Sequence, residues 1–355
     1  MAPISLASLT TLRLGGPAER VLTVSDPADW AEAARSVDQR EGMPVVLGHG
    51  SNVIASDAGH PGTVVVMRTR GITTTRVDEN TVAVTAQAGH PLTDLVAWAA
   101  AEHLAGIECL AGIPGTAGAA PVQNAGAYGQ QIADTLDHIT AWDWQTNRPR
   151  TLPAQACRFH YRQSRFKAEP GRWTILTVTL HLTRCAQAEP VTYQHLADEL
   201  GLPLGARPPV REVTAAVLAN RRRRGLLLDP LGPDARQVGS VFLNPPVSSA
   251  DSARWSAAGC PVHTTSDGQL RASAAWFLEQ AGYGPAQFVL AGVRCSARRT
   301  LTLTAEAACT AAGFTAALDQ MATRVLLGSG ILLSVEPVQI DVQVPPTLPG
   351  RVRKC

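Results

Sequence analysis

Gly112-Ile113-Pro114-Gly115-Thr116-Ala117-Gly118-Ala119-Ala120-Pro121-Val122-Gln123-Asn124-Ala125-Gly126-Ala127-Tyr128-Gly129 is a run of small residues too long to be a turn and too poor in side-chain volume to fill a core. Such a run suits main chain lying flat against a ligand, because residues with little or no Cβ bulk let the backbone approach closely. It follows Leu92–Glu102, whose apolar positions recur at helical spacing, and precedes two strand-like stretches at 139–144 and 174–182. Upstream, residues Thr63–Ala88 alternate in β fashion, as in Thr81-Val82-Ala83-Val84-Thr85.

Nearer the start, a helix-like stretch Asp29–Arg40 and a short apolar run Pro44–Leu47 lead into Gly48-His49-Gly50-Ser51-Asn52. A strand entering a Gly-rich turn can gather backbone N–H groups around phosphate, although an ordinary tight turn accounts for this segment equally well. Past the small-residue run, Val210–Arg224 reads as a helix ending in four arginines and Gly225, a C-terminal stop signal. Gly239–Pro246 reads as a loop, Ser273–Gly282 and Ala311–Leu327 as helices, and Gly330–Val338 as a closing strand.

The chain has 355 residues, which predicts two or three domains. No eighteen-residue apolar stretch and no basic-then-apolar leader before Pro3 are present, so a soluble, cytoplasmic protein with no membrane partner is expected. A net charge of +2 gives no general field for nucleic acid, so anion recognition has to be local. The seven Cys residues are scattered, odd in number and without a Cys-x-x-Cys pair. That pattern speaks against zinc ribbons and disulfide frameworks, and no metal site is expected. No Gly-x-Gly-x-x-Gly follows an N-terminal strand with an acidic residue about twenty positions on, so the Rossmann dinucleotide fold is excluded.

Three further segments bear chemistry. Tyr161-Arg162-Gln163-Ser164-Arg165-Phe166-Lys167 would pass for a solvated basic loop in isolation. A planar guanidinium there could nevertheless bind two carboxylate oxygens at once. Ser240, in Gly239-Ser240-Val241-Phe242-Leu243-Asn244-Pro245, would in isolation more often be a cap or turn residue, and no Ser-His-Asp order around it suggests acyl transfer. Glu336 follows the apolar Ile331–Val335 run, which predicts a partly buried carboxyl.

Taken in order, Thr10–Ala18 with Gly48–Asn52, Gly112–Gly129, Tyr161–Lys167, and Gly239–Pro245 followed by Glu336-Pro337 resemble the UDP-N-acetylenolpyruvoylglucosamine reductase family along nearly the whole chain. The resemblance implies an α+β protein: a vanillyl-alcohol-oxidase/PCMH-type two-part FAD-binding fold plus a C-terminal α+β substrate-binding domain. The implied parts are residues 1–66, with a C-terminal strand near 331–345 returning to them, then 67–208, and 209–355 for substrate.

The same resemblance assigns FAD to Gly48, His49, Gly50, Ser51 and Asn52, and to Gly112, Ile113, Pro114, Gly115, Thr116, Gly118, Ala119, Gln123, Asn124, Gly126, Ala127 and Tyr128. His49 stands where Gly is usual and would be strained by roughly 1 kcal/mol if that position needs positive φ. Ser51 stands where related flavoproteins attach FAD through a His, so dissociable FAD is expected. Arg162, Ser240 and Glu336 are implied as the catalytic set. Tyr161, Lys167, Tyr193, Arg224 and Asn244 are implied as substrate-binding, Tyr193 lying on a mobile loop that closes over a diphosphate. Three of the four arginines at Arg221–Arg224 are expected to be solvated.

NADPH is the implied hydride donor, and it would leave before an enolpyruvyl ether takes its place in the same site. Reduction at the methylene carbon would then be completed by a proton from Ser240. A monomer is expected. Departures from the family pattern, read as lying on the substrate side, are Val241, Leu243, Ala275 and Arg298-Arg299 in place of Lys-His. They predict weaker binding of the UDP-sugar substrate and keep open a paralogue that reduces another enolpyruvyl ether. An oxidase of the same fold and a silent flavin-binding protein are the competing readings.

Overall fold

The computed structural model describes residues 3–340, in three packed units of helix and sheet. In the first, strand His60–Met67 lies between parallel Pro17–Val24 and Val45–Leu47, with Ile4–Ser5 antiparallel on the outer edge. Val64 and Val66 point into a small core with Leu6, Ala18, Leu47 and Ile340, while Val65 and Met67 join Trp30 and Ala34 on the opposite face. Both faces are thus covered, as an apolar parallel strand requires. The helix expected over 29–40 runs only Trp30–Ser36. A separate 3-10 turn, Gln39–Glu41, follows, because the Asp38 side chain accepts a bond from the Arg40 N–H and caps a new start.

The second unit is an antiparallel sheet in the order Arg148–Pro153, Leu136–Asp143, Trp173–Arg184, Thr81–Gln87, Ile72–Arg76. Helix Leu92–Ala101 buries Leu92, Leu95, Val96 and Ala99 against it. Helix Val210–Arg223 adds Val210, Val213 and Val217 to the same core, so its packing ties it to this unit.

In the third unit the antiparallel strands Gln237–Ser240, Arg299–Ala305, Val293–Ser296 and Phe288–Leu290 pack on helices Ala274–Gln280 and Ala311–Ser329. Leu12, Leu14 and Ile54 insert into this core and lock it to the first unit.

The closing strand expected at Gly330–Val338 is not formed. Pro337 cannot donate to a ladder, and the segment before it makes one isolated bridge, Val335 to Phe242. A short strand, Val338–Ile340, then pairs in parallel with Val53–Ala55 beside the Gly48–Asn52 turn. This short strand lies against the first unit; the part of the expected 331–345 strand past 340 lies outside the described residues, as does Cys355.

Among the described residues the six cysteines are free thiols, five of them buried, and no group of His, Cys, Asp or Glu could hold a metal. No helix there is long and apolar enough to cross a membrane.

Candidate active site

The Gly48–Asn52 turn and the Gly112–Gly129 run lie against each other. A Cβ on Gly48 would meet Thr116 Oγ1 at 2.5 Å, and one on Gly50 would meet the Leu9 carbonyl oxygen at 2.3 Å. Asn52 donates through Nδ2 to Gln123 Oε1 at 2.5 Å, tying the two loops together. Gly50, at φ +61°, takes the left-handed conformation, and His49 does not, so the condition under which His49 would be strained is not met.

The main-chain N–H groups of His49, Gly50, Ser51, Gly115 and Thr116 donate to no other described residue. Two facing loops with unspent donors and no room for side chains make a cradle of the kind that holds a dinucleotide pyrophosphate. Arg13, Arg68 and His49 line an adjoining cavity of about 280 Å³, and the two arginines bring positive charge to it. His49 itself is held toward neutrality by burial and by Arg68 and Arg70. These residues fit FAD.

Asn124, in the same run, has its side chain fully engaged: Nδ2 donates to Gln131 Oε1 at 2.8 Å and to the His160 carbonyl at 3.2 Å, and Oδ1 accepts from the Ala133 N–H. Only its main chain faces outward chemistry, through a bond from Arg162. Tyr128 Oη donates to Asn220 Oδ1 at 3.0 Å, and its ring meets Tyr193 edge-on at 5.7 Å. Tyr193 stays 40% exposed, consistent with its place on an outer loop.

Arg162 sits at the tip of a two-residue reverse turn closed by His160 and Gln163, in the left-handed region at φ +53°. A non-glycine residue held there costs on the order of 1 kcal/mol and marks a position fixed by its surroundings. Its Nη1 and Nη2 donate to the carbonyls of Asn124 and Gly126 at 3.1 and 2.7 Å, and Nε lies 3.4 Å from Glu336 Oε1. A guanidinium has five N–H groups. Two remain, one on each terminal nitrogen, enough for a carboxylate. Ser164, the hydroxyl of the same motif, is structural: it donates to the Val122 carbonyl at 2.6 Å and caps helix Arg165–Ala168.

Burial raises the Glu336 pKa, opposed by Arg162 and Lys167. Lys167 Nζ donates to the Arg162 carbonyl at 3.3 Å, and its own pKa is lowered by burial. The Glu336 N–H donates to the Val241 carbonyl at 2.9 Å, which sets the glutamate strap beside the Ser240 strand. Gly239, at φ +76°, lies within a register shift between Gln237 and Ser240. Bulges of this type re-aim the next side chain. The bridge Phe242–Val335 and the bond from Leu243 N–H to the Ser334 carbonyl complete the seam. Arg162, Ser240 and Glu336 are thus gathered from three distant stretches of chain.

Asn244 serves the fold: its Oδ1 accepts from the Ala274 N–H at 3.0 Å. Tyr161 is raised in pKa by burial and flanked by Arg162 and by Arg271, whose guanidinium lies 4.2 Å from the ring centroid. Arg271 carried no signal in the sequence. Val241 is fully buried in the third core, so it does not face a substrate, contrary to expectation. Of the four arginines, Arg222, Arg223 and Arg224 are exposed and Arg221 is buried. The helical spacing Val210, Val213, Val217, Arg221 could have singled it out.

Residues 18–148 match an FAD binding domain, and residues 229–340 match the C-terminal domain of UDP-N-acetylenolpyruvoylglucosamine reductase. A protein of that name from Thermobifida fusca is 38% identical over 96% of this chain and 97% of its own length. One from Salinispora arenicola is 41% identical over 85% of each.

The chain belongs to the UDP-N-acetylenolpyruvoylglucosamine reductase family.

It is an FAD-dependent oxidoreductase by that membership. The crystal structure of the UDP-N-acetylenolpyruvylglucosamine reductase from Thermus caldophilus shares its fold, at a TM-score of 0.63 and 22% identity, covering 95% of this chain and 98% of the other. The two-part flavin fold with a C-terminal α+β domain, expected from the motifs, is therefore the fold of this reductase family member.

Proposed function

We propose that this chain reduces the enolpyruvyl ether of UDP-N-acetylglucosamine to UDP-N-acetylmuramate with NADPH, a step in making peptidoglycan precursors. The observation that carries this reading is the Arg162–Glu336 ion pair, 3.4 Å apart, set between the Gly-rich cradle and the bulged Ser240 strand. Bound FAD supplies the two-electron exchange between nicotinamide and substrate.

The residues of the chain supply position, charge and a proton. Reduction at the methylene carbon places negative charge on the neighbouring carbon and its carboxylate. The two free N–H groups of Arg162 grip that carboxylate, and its carbonyl-bound nitrogens keep the guanidinium from turning away. Glu336 holds Arg162 through Nε and, with its raised pKa, sits where a proton or a charge can be shared. Ser240 then protonates the carbon next to the carboxylate as general acid. Tyr161 and Lys167 bracket this group.

In this scheme residues 1–66 and 67–208 enclose FAD, the third unit closes over substrate, and Val210–Arg223 belongs by packing to the second. The chain is proposed to work in the cytoplasm as a monomer, without nucleic acid or membrane. A test is turnover without oxygen: NADPH and UDP-N-acetylglucosamine enolpyruvate should be consumed one for one, yielding a product two hydrogens heavier. NADPH oxidation that requires oxygen and leaves the ether intact would instead mark an oxidase.

A further inference from the structure

Arg271 belongs to the third unit by its backbone and reaches the second by its side chain. Its strand, Leu270–Ala272, is the return limb of a hairpin that begins at Val262, and it is laced to the loop that follows Ser240. The Ala272 N–H donates to the Pro245 carbonyl at 3.1 Å, the Val247 N–H donates to the Leu270 carbonyl at 2.9 Å, and Arg271 itself bridges Pro246. The side chain adds a further link, Nη1 donating to the Asn244 carbonyl at 2.8 Å. From this anchorage the guanidinium crosses the seam and lies over the Tyr161 ring, 4.2 Å from its centroid.

Tyr161 adjoins Arg162 in the two-residue turn, and the Arg162 guanidinium lies 5.5 Å from the same ring centroid. One ring is thus shared by two guanidiniums, one carried by each unit. The hairpin also meets this turn at its tip, where Gln131 Nε2 donates to Ser266 Oγ at 3.2 Å and His160 Nδ1 lies 3.8 Å from Asp267 Oδ2. Those contacts lie in solvent and are worth little. Arg271 is half-buried, its Nη2 is fixed by Gln269 Oε1 at 2.9 Å, and its Nε is buried with no hydrogen-bond partner among the described residues. A guanidinium removed from water gains more from a ring face than an exposed one does, so Arg271 is the strong tie and the tip contacts are the weak ones.

We infer that Arg271 is a positioning residue of the reaction: it acts through Tyr161 to hold the Arg162 turn of the second unit in register with the Ser240 loop of the third. The inference rests on the proposed function, because the spacing it sets is that between the group that grips the carboxylate and the group that delivers the proton. Without the Arg271 side chain, the hairpin and the Ser240 loop stay joined by their main-chain bonds, while the Tyr161–Arg162 turn loses its buried tie to both. A misplacement of about 1 Å between groups acting on one substrate costs on the order of a hundredfold in rate.

The experiment follows the flavin of the purified holoenzyme through each half-reaction by stopped-flow absorbance. Arg271→Met is expected to leave bleaching by NADPH near the parental rate and to slow reoxidation by saturating enolpyruvyl ether by roughly ten- to a hundredfold. Arg271→Lys keeps a cation over the ring and should recover most of that loss. On a Tyr161→Leu background, which removes the ring, Arg271→Met should cost much less than it does in the parent. Equal slowing of both half-reactions, no recovery with lysine, or the full loss repeated on the Tyr161→Leu background would each overturn the inference. Should Tyr161→Leu lose its flavin, the split between half-reactions and the lysine recovery decide the matter. Denaturant melts of parent, single and double variants follow the same tie without substrate: the double variant should lose less than the sum of the single losses, and additive losses would overturn the inference whatever the substrate. A parent whose reduced flavin the enolpyruvyl ether fails to reoxidise, with melts that are not additive, would refute the proposed substrate and uphold the tie between Arg271 and Tyr161.

Discussion

In the proposed function Ser240 and Glu336 divide the work of the site, and each can be tested separately. As the proposed proton donor Ser240 would be needed only once charge has reached the substrate, so Ser240→Ala should leave the bleaching of flavin by NADPH nearly unchanged. The return of colour on adding the enolpyruvyl ether should slow by about 10² to 10⁴, or roughly 3 to 5 kcal/mol of barrier. Equal slowing of both steps in stopped-flow absorbance would make Ser240 a shaper of the flavin site and not the donor. Glu336, with a folded pKa raised above the ordinary value of 4.5 by burial, gives stability that is fully present below 4.5 and lost as pH rises through the folded value. The stability of the parent minus that of Glu336→Gln, from denaturant melts, should accordingly fall from pH 4.5 toward neutrality. A flat or rising difference would mean that Arg162 and Lys167 outweigh burial. At this scale the sequence was partly legible: Arg162, Ser240 and Glu336 were marked by motif, and the structure places them together. Arg221 was passed over for Arg224 because a run of four arginines hides which one continues the apolar stripe. Asn124 and Asn244 look like ligand groups in sequence, yet their side chains are engaged within the fold.

The elements of the proposed cofactor cradle are loops, and glycine makes them possible. Gly50 needs both its left-handed φ of +61° and its missing Cβ, which would otherwise stand 2.3 Å from the Leu9 carbonyl. Gly50→Ala should therefore weaken FAD and lower stability by about 2 kcal/mol or more. Fluorescence titration of the stripped protein with FAD, beside its melting temperature, measures both, and an alanine variant with parental FAD affinity would remove Gly50 from the cradle. Helices and long strands were readable because their periodicity is local: Leu92–Ala101, Val210–Arg223 and Trp173–Arg184 fall within a residue or two of expectation. The stretch before Pro337 was misread as a strand because its apolar residues meet the Ser240 loop through one bridge instead of a ladder. A partner of that kind is remote in sequence, and alternation alone cannot reveal it.

At the level of the whole molecule, three units meet along a seam that no single one of them forms. Leu12, Leu14 and Ile54 sit in the third core, Val338–Ile340 pairs with Val53–Ala55, and Arg298 grips the end of Val210–Arg223. The cradle, the Arg162 turn and the Ser240 strand are consequently fixed relative to one another by packing among distant residues. Under the proposed function one site of this kind would serve the nicotinamide and the enolpyruvyl ether in turn, and bound FAD would supply the two-electron exchange between them. The most direct test is an anaerobic spectrum taken in two steps. Stoichiometric NADPH should bleach the flavin band of the purified protein, and, after the nicotinamide is removed, UDP-N-acetylglucosamine enolpyruvate alone should restore it while UDP-N-acetylmuramate accumulates in equal amount. A flavin band that NADPH bleaches and only oxygen restores would contradict the assignment.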